Sequence, residues 1–113
     1  MDYSWFAADE TQIALSNSIL HFFAEHDGGI GKHGDHYTTV GAMTRPNWSP
    51  GLESMNAVAA LASNDTIAWD FVDYIFNNIT IPSGDAVDSD RYYSGFLYLE
   101  ALLHLSGKYR AWL

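Results

Sequence analysis

Arg91-Tyr92-Tyr93-Ser94-Gly95-Phe96-Leu97-Tyr98-Leu99-Glu100-Ala101-Leu102-Leu103-His104-Leu105-Ser106-Gly107-Lys108-Tyr109-Arg110-Ala111-Trp112-Leu113 is the stretch on which the fold turns. Phe96, Leu97, Leu99, Ala101, Leu102, Leu103 and Leu105 surround a helical axis instead of striping one face, so this helix is expected deep inside a helical assembly. Gly107 stands where a left-handed C-terminal cap belongs, and Lys108 and Arg110 lie just past the negative end of the helix dipole. With Arg91, Tyr92 and Tyr93 at its head, the helix reads as a packed scaffold presenting a polar, aromatic rim.

Working outward, three more helices precede it. Asp9 and Glu10 suit a first turn, and Ile13, Leu20, Phe23 and Ala24 follow helical spacing up to about Glu25. Ser49 at an N-cap and Pro50 at the first helical position open a second helix through Leu52, Met55, Val58 and Leu61, which Ser63-Asn64 ends. Asp65 is the expected N-cap of a third, in which Ile67, Phe71 and Ile75 recur every fourth residue and Asn77-Asn78 marks the end. Between the first two, residues 29–47 lack a sustained period and read as a long loop with room for a short hairpin around Tyr37 to Val40. Thr80 to Asp90 reads as a second loop. Four helices in αα-hairpins without a strand ladder give an all-α class.

Composition narrows the partners. Fourteen acidic residues against five basic ones, a net charge of −9, argue against nucleic acid and against an anionic membrane surface, because both rely on lysine and arginine. No apolar run reaches the roughly 20 residues of a membrane-spanning helix. Without cysteine there is no disulfide, no thiolate metal site and no cysteine nucleophile, and the compartment stays open. At 113 residues the chain is one domain or part of one, and 48% apolar residues with four tryptophans are more than a small four-helix unit covers by itself. The aromatic start Tyr3-Ser4-Trp5-Phe6 also asks for a surface to cover it, so a partner or a missing part is expected.

Several motifs invite chemistry and have plain structural readings. Gly28-Gly29-Ile30-Gly31-Lys32 looks toward a phosphate-binding loop, but His26 replaces its first glycine and His33 its Mg²⁺-binding hydroxyl, which leaves a loop without nucleotide. His33, Asp35 and His36, with His21 or His26, have ligand chemistry but no closed zinc spacing, so no metal or other cofactor is expected. Glu100 and His104, one helical turn apart, read as a satisfied buried pair and not as an acid/base dyad. Ser94, Ser106 and the histidines form no nucleophile elbow. Asp85, Asp88 and Asp90 lack the downstream glutamate of a calcium loop and read as a polar rim beside the tyrosine pair. Tyrosine faces and carboxylates are what a sugar-binding cleft uses.

Three blocks together resemble glycoside hydrolase family 8. They are Asp2-Tyr3-Ser4-Trp5-Phe6; Ser49-Pro50-Gly51-Leu52-Glu53-Ser54-Met55-Asn56 continuing to Ala62; and Ile81-Pro82-Ser83-Gly84 followed by Arg91-Tyr92-Tyr93-Ser94-Gly95-Phe96-Leu97-Tyr98 and Leu102 to Arg110. Their order is similar to the C-terminal third of that family, above all the branch releasing xylose from the reducing end of xylo-oligosaccharides. The resemblance implies that residues 1–113 are part of an (α/α)6 barrel, about four of its twelve helices. It implies an oligosaccharide or polysaccharide substrate, an inverting hydrolysis of β-1,4-linked glycans, and the missing N-terminal part of the barrel as structural partner. The family's glutamic acid and its water-activating aspartate lie upstream of the matched region, so no catalytic residue falls in this chain, which is expected to be inactive alone. Arg91, Tyr92 and Tyr93 are the implied substrate-binding residues. Two departures stand out: Ser49 precedes Pro50 where the reducing-end enzymes carry histidine, and Ser94 follows the tyrosine pair where that branch carries an acid. A non-catalytic helical module that binds glycan or a protein is the competing expectation.

Overall fold

A computed structural model describes residues 9–80 and 89–108, with the side chains of Ser89, Asp90 and Arg91 outside that description. The aromatic start, Asp85, Asp88, Tyr109 and Arg110 therefore lie outside the described residues. Four α-helices, a short 3-10 turn and a two-stranded ribbon make up the described part: α1 (Glu10–Glu25), β1 (His36–Tyr37), β2 (Met43–Arg45), α2 (Pro50–Ala59) running into the 3-10 turn Ala60–Ala62, α3 (Ala68–Asn78) and α4 (Ser89–Leu105). The helical boundaries follow their caps. The Asp9 carboxylate accepts from the Gln12 N–H at 2.9 Å, and the Ser49 hydroxyl accepts from the Leu52 N–H at 3.3 Å with Pro50 next to it. Asp65 is not the N-cap of α3: its side chain accepts from the Ile67 N–H, three i→i+3 bonds follow, and α3 begins about a turn later, at Ala68, with Ile67 at its N-cap.

Two clusters form the core, and α3 belongs to both. Ala68 and Phe71 pack with Leu20 of α1 and Ala60, while Ile75 and Ile79 pack with Ala57 and Val58 of α2 and Ala101 of α4. Ala68, Phe71 and Ile75 of α3, with Ile79 at its C-cap, fall on one stripe, so a single face of one helix joins α1 to the α2/α4 pair. Helices α2 and α4 meet where Gly51 faces Leu97 and Ser94; a Cβ at Gly51 would stand 2.9 Å from Leu97 Cδ1, so a side chain there would displace the end of the Leu97 side chain.

The all-round burial expected of α4 does not hold among the described residues. Ser94, Ala101 and His104 are buried, but Phe96 and Leu99 remain 54% and 52% exposed. One side of the helix packs on α2, and no described residue covers the opposite side, although that side is equally apolar. Gly107 does end the helix in the left-handed region, with φ +68°. The buried side-chain pair expected of Glu100 and His104 does not form: His104 is buried and its Nδ1 lies 2.7 Å from the Glu100 main-chain carbonyl oxygen, while Glu100 is only half-buried.

The long loop is built, not slack. After α1, His26 closes the helix onto the Phe22 carbonyl, and the glycine segment carries the chain back to α2. β1 and β2 pair antiparallel around a turn in which the Thr38 N–H donates to the Ala42 carbonyl at 2.9 Å; the expected Tyr37 to Val40 stretch supplies the end of β1 and part of the turn, and β2 begins three residues beyond Val40. Tyr37 holds this ribbon on α1, its ring edge-on to Phe22 at 5.1 Å and to Phe23 at 5.8 Å. No described helix is long and apolar enough to cross a membrane.

Candidate glycan-binding cleft

The glycine segment Gly28–Lys32 offers peptide N–H groups to an anion, and that anion is part of the protein. Glu53, in the first turn of α2 and 2% exposed, accepts the Gly31 N–H on Oε1 at 2.8 Å. His33, equally buried, places Nε2 3.1 Å from the same oxygen. Burial works against the imidazolium, but the neighbouring Glu53 carboxylate outweighs it, and the His33 pKa ends above its ordinary value. The seat a phosphate would need is thus filled by a buried ion pair. His33 is also drawn away from Asp35 and His36, and among the described residues no group of three or more His, Asp or Glu side chains is placed to hold a metal ion.

Tyr74 of α3 leans over the same segment. Gly31 has φ +78°, and a Cβ there would lie 2.3 Å from the Tyr74 hydroxyl oxygen, so backbone conformation and space both require glycine. Burial, then the Glu53 charge, raise the Tyr74 pKa, while a hydrogen bond from Trp48 opposes them. Trp48 itself is 45% exposed.

On the outer side of Trp48 lies a polar cleft of about 650 Å³. The ribbon supplies Asp35 and Arg45, the lead-in to α2 supplies Asn47, Trp48 and Ser49, and α4 supplies Ser94. Arg45 grips Asp35 in a two-point pair, Nε donating to Oδ1 at 2.7 Å and Nη2 donating to Oδ2. The guanidinium holds the Asp35 carboxyl well below the usual carboxylate range, with His36 Nδ1 adding a contact at 2.9 Å. A carboxylate held ionised in this way has no proton to donate to a leaving group, and among the described residues it is the one carboxylate lining the cleft. The cleft can hold hydroxyl groups; its described residues do not include the two carboxyl groups that glycoside hydrolysis uses.

Of the residues singled out in the sequence, Tyr92 and Tyr93 are 82% and 65% exposed at the head of α4, and the side chain of Arg91 lies outside the described residues. Ser94, next in sequence, is the α4 residue that enters the cleft wall. Asp35, Arg45 and Trp48 had no local signal marking them as partners: a ten-residue separation joins the ion pair across the ribbon, and Trp48 meets Tyr74 across two elements. The departures at Ser49 and Ser94 were the two sequence cues in this wall.

No family model matches the chain. Known proteins are nonetheless similar to it over nearly all of its length. It is 34% identical over 114 residues to the reducing-end xylose-releasing exo-oligoxylanase Rex8A of Paenibacillus barcinonensis, covering 99% of this chain and 28% of that protein. A GH8 xylobiose complex from Teredinibacter turnerae matches 98% of this chain and 26% of that one at 38% identity, with a TM-score of 0.83. A reducing-end xylose-releasing exo-oligoxylanase structure matches at 37% identity, with a TM-score of 0.80 over 99% of this chain and 28% of that one. The chain thus spans about a quarter of the length of the relatives it matches, in their C-terminal portion. Its resemblance to glycoside hydrolase family 8 holds in sequence and in fold, and its helices match a part of those (α/α)6 barrels.

Proposed function

We propose that residues 1–113 are the C-terminal part of a glycoside hydrolase family 8 catalytic domain, the whole of which hydrolyses β-1,4-linked glycans by inversion, with xylan and xylo-oligosaccharides as substrates. The observation that carries this reading is the match of nearly the whole chain, at 38% identity, to a protein whose structures are described with xylobiose and, for a catalytic mutant xylanase, with xylohexaose. In this reading the chain contributes one wall of the substrate cleft, with Arg91, Tyr92 and Tyr93 facing the glycan. The general acid and the general base come from the part of the barrel that the match leaves uncovered; among the described residues the cleft holds one carboxylate, already tied to arginine.

Incubating the purified chain with xylohexaose, alone and together with the complementary upstream portion of a relative such as Rex8A, tests this reading. No turnover is expected from the chain alone, and release of products whose new reducing ends are α-anomers, followed by proton NMR, is expected from the reassembled pair. Hydrolysis by the chain alone refutes its inactivity, and β-anomeric products refute inversion. A non-catalytic glycan-binding module is the second reading, favoured by the two-point pairing of Asp35 with Arg45, which ties up the cleft carboxylate among the described residues. Saturable binding with no turnover in either mixture decides for it.

A further inference from the structure

The two sides of the cleft are held differently. Ser49 caps α2, and Ser94 of α4 lies against Gly51 of that helix. Asp35 and Arg45 stand on the ribbon, which is anchored on α1 through Tyr37 and on α2 through His33. Both ring nitrogens of His33 face acceptors: Nδ1 lies 3.1 Å from the Gly34 carbonyl oxygen, and Nε2 lies 3.1 Å from Glu53 Oε1. A neutral imidazole has one N–H and can serve one of them, so the arrangement is that of the imidazolium. Nε2 approaches the carboxylate without the alignment of a hydrogen bond, and Glu53 Oε2 is buried with no hydrogen-bond partner. The attraction is therefore chiefly one of charge, and it ends when the ring loses its proton. A carboxylate 2% exposed would then keep one donor, the Gly31 N–H, and a buried charge so poorly matched is strongly destabilising.

No other described group replaces the imidazolium. Asp27, ahead of the glycine segment, adds a second negative charge, and α1 contributes the Phe23 ring, 4.5 Å from the imidazole. Tyr74 of α3 and Tyr37 of β1 have hydroxyls that burial pushes above the ordinary phenol value, so both stay neutral where histidine titrates. Movement at His33 reaches the cleft within two residues. Gly34 passes β2 so closely that no Cβ fits beside the Arg45 carbonyl oxygen, and Asp35 is bound to the Arg45 guanidinium. Residues 33–35 and Arg45 are thus coupled into one unit.

We propose that His33 and Glu53 form a pH-operated latch for the ribbon: the charged pair holds residues 33–35 and Arg45 against α2, and loss of the His33 proton releases them. The Asp35–Arg45 side of the cleft then swings away from Ser49 and Ser94 while the helices stay packed. Acid closes the cleft and alkali opens it, whichever ligand it takes.

Because the chain has no cysteine, two introduced thiols can be spin-labelled without background, and pulsed EPR distances on the full chain test the latch. Val40→Cys with Leu99→Cys places one label on the exposed ribbon turn and one on the exposed side of α4; Asn77→Cys with Leu99→Cys places both on helices. The ribbon pair is expected to give one distance at pH 5.5 and a second, longer one as the larger share at pH 8.5, while the helix pair stays unchanged. The midpoint is expected to coincide with the His33 imidazole titration followed by proton NMR. In His33→Gln and in Glu53→Gln the ribbon distance is expected to be the same at both pH values. His36→Asn, which removes the exposed ribbon histidine facing Asp35, is expected to keep the response. An unchanged ribbon distance in the wild-type background overturns the latch, as does a helix pair that changes with it or the lack of a defined ribbon distance at pH 5.5. A midpoint apart from the His33 titration, or a response lost in His36→Asn, assigns the titration to another group and overturns it too. The wild-type midpoint decides alone if neither His33→Gln nor Glu53→Gln folds.

Discussion

The pair at His33 and Glu53 makes part of this fold depend on pH. Both side chains are nearly inaccessible, and the His33 pKa lies above its ordinary value in the folded chain. Stability from this histidine is therefore complete below about pH 6.5, its unfolded value, and is lost as pH rises through the higher folded value. His21 acts in the same direction, its pKa raised by hydrogen bonds to Asp65 and then Glu25, so the two must be separated. Thermal melts from pH 5.5 to pH 8.5 are expected to show a falling midpoint that survives in His21→Asn and flattens in Glu53→Gln. An unchanged slope in Glu53→Gln would place the titration elsewhere. Glu53 was legible in the sequence only as an acidic residue in a first helical turn; the partners that bury it lie some twenty residues upstream and have no periodic relation to α2.

Local elements were far easier to read. The starts of α1 and α2 follow from Asp9 and from Ser49-Pro50 because a cap is decided within four residues, and the Gly107 stop needs only a backbone that tolerates positive φ. Ser49→Ala is expected to cost about 1 kcal/mol in urea unfolding, the usual loss for an N-cap hydroxyl, and a change under roughly 0.3 kcal/mol would mean that Pro50 alone sets the helix start. The ribbon was harder. Its pairing depends on Tyr37 meeting Phe22 and Phe23, a contact set by how the whole loop returns to α1 and not by alternation within two- and three-residue strands. The cleft falls in the same class, since its walls come from the ribbon, the α2 lead-in and α4, and no one of these announces the others.

For the whole molecule, the outstanding feature is apolar surface without a cover among the described residues. Trp69 is 70% exposed, Phe76 57%, Phe96 54% and Leu99 52%, on α3 and α4. Surface of this kind is the ordinary mark of an interface. The purified chain is expected to associate with rising concentration in sedimentation velocity, and Phe96→Lys with Leu99→Lys is expected to return it toward monomer; a monomeric wild-type chain at every concentration would show that this face needs no cover. The excess of apolar residues pointed to this from composition alone, while the surplus on α4 was assigned to burial because a helix apolar on all sides carries no sign of which side meets its neighbour.

Helix α3 serves both hydrophobic clusters with one stripe, from Ala68 and Phe71 at one end to Ile75 and Ile79 at the other. Among the described residues there is therefore no seam. A cut on the N-terminal side of Asp65 takes Leu20 and Ala60 from one half of that stripe, and a cut after Asn78 takes Ala101 from the other half. Neither piece keeps a complete lining for α3, so shortening from either direction is a loss to the same helix, and divisibility ends at its two faces.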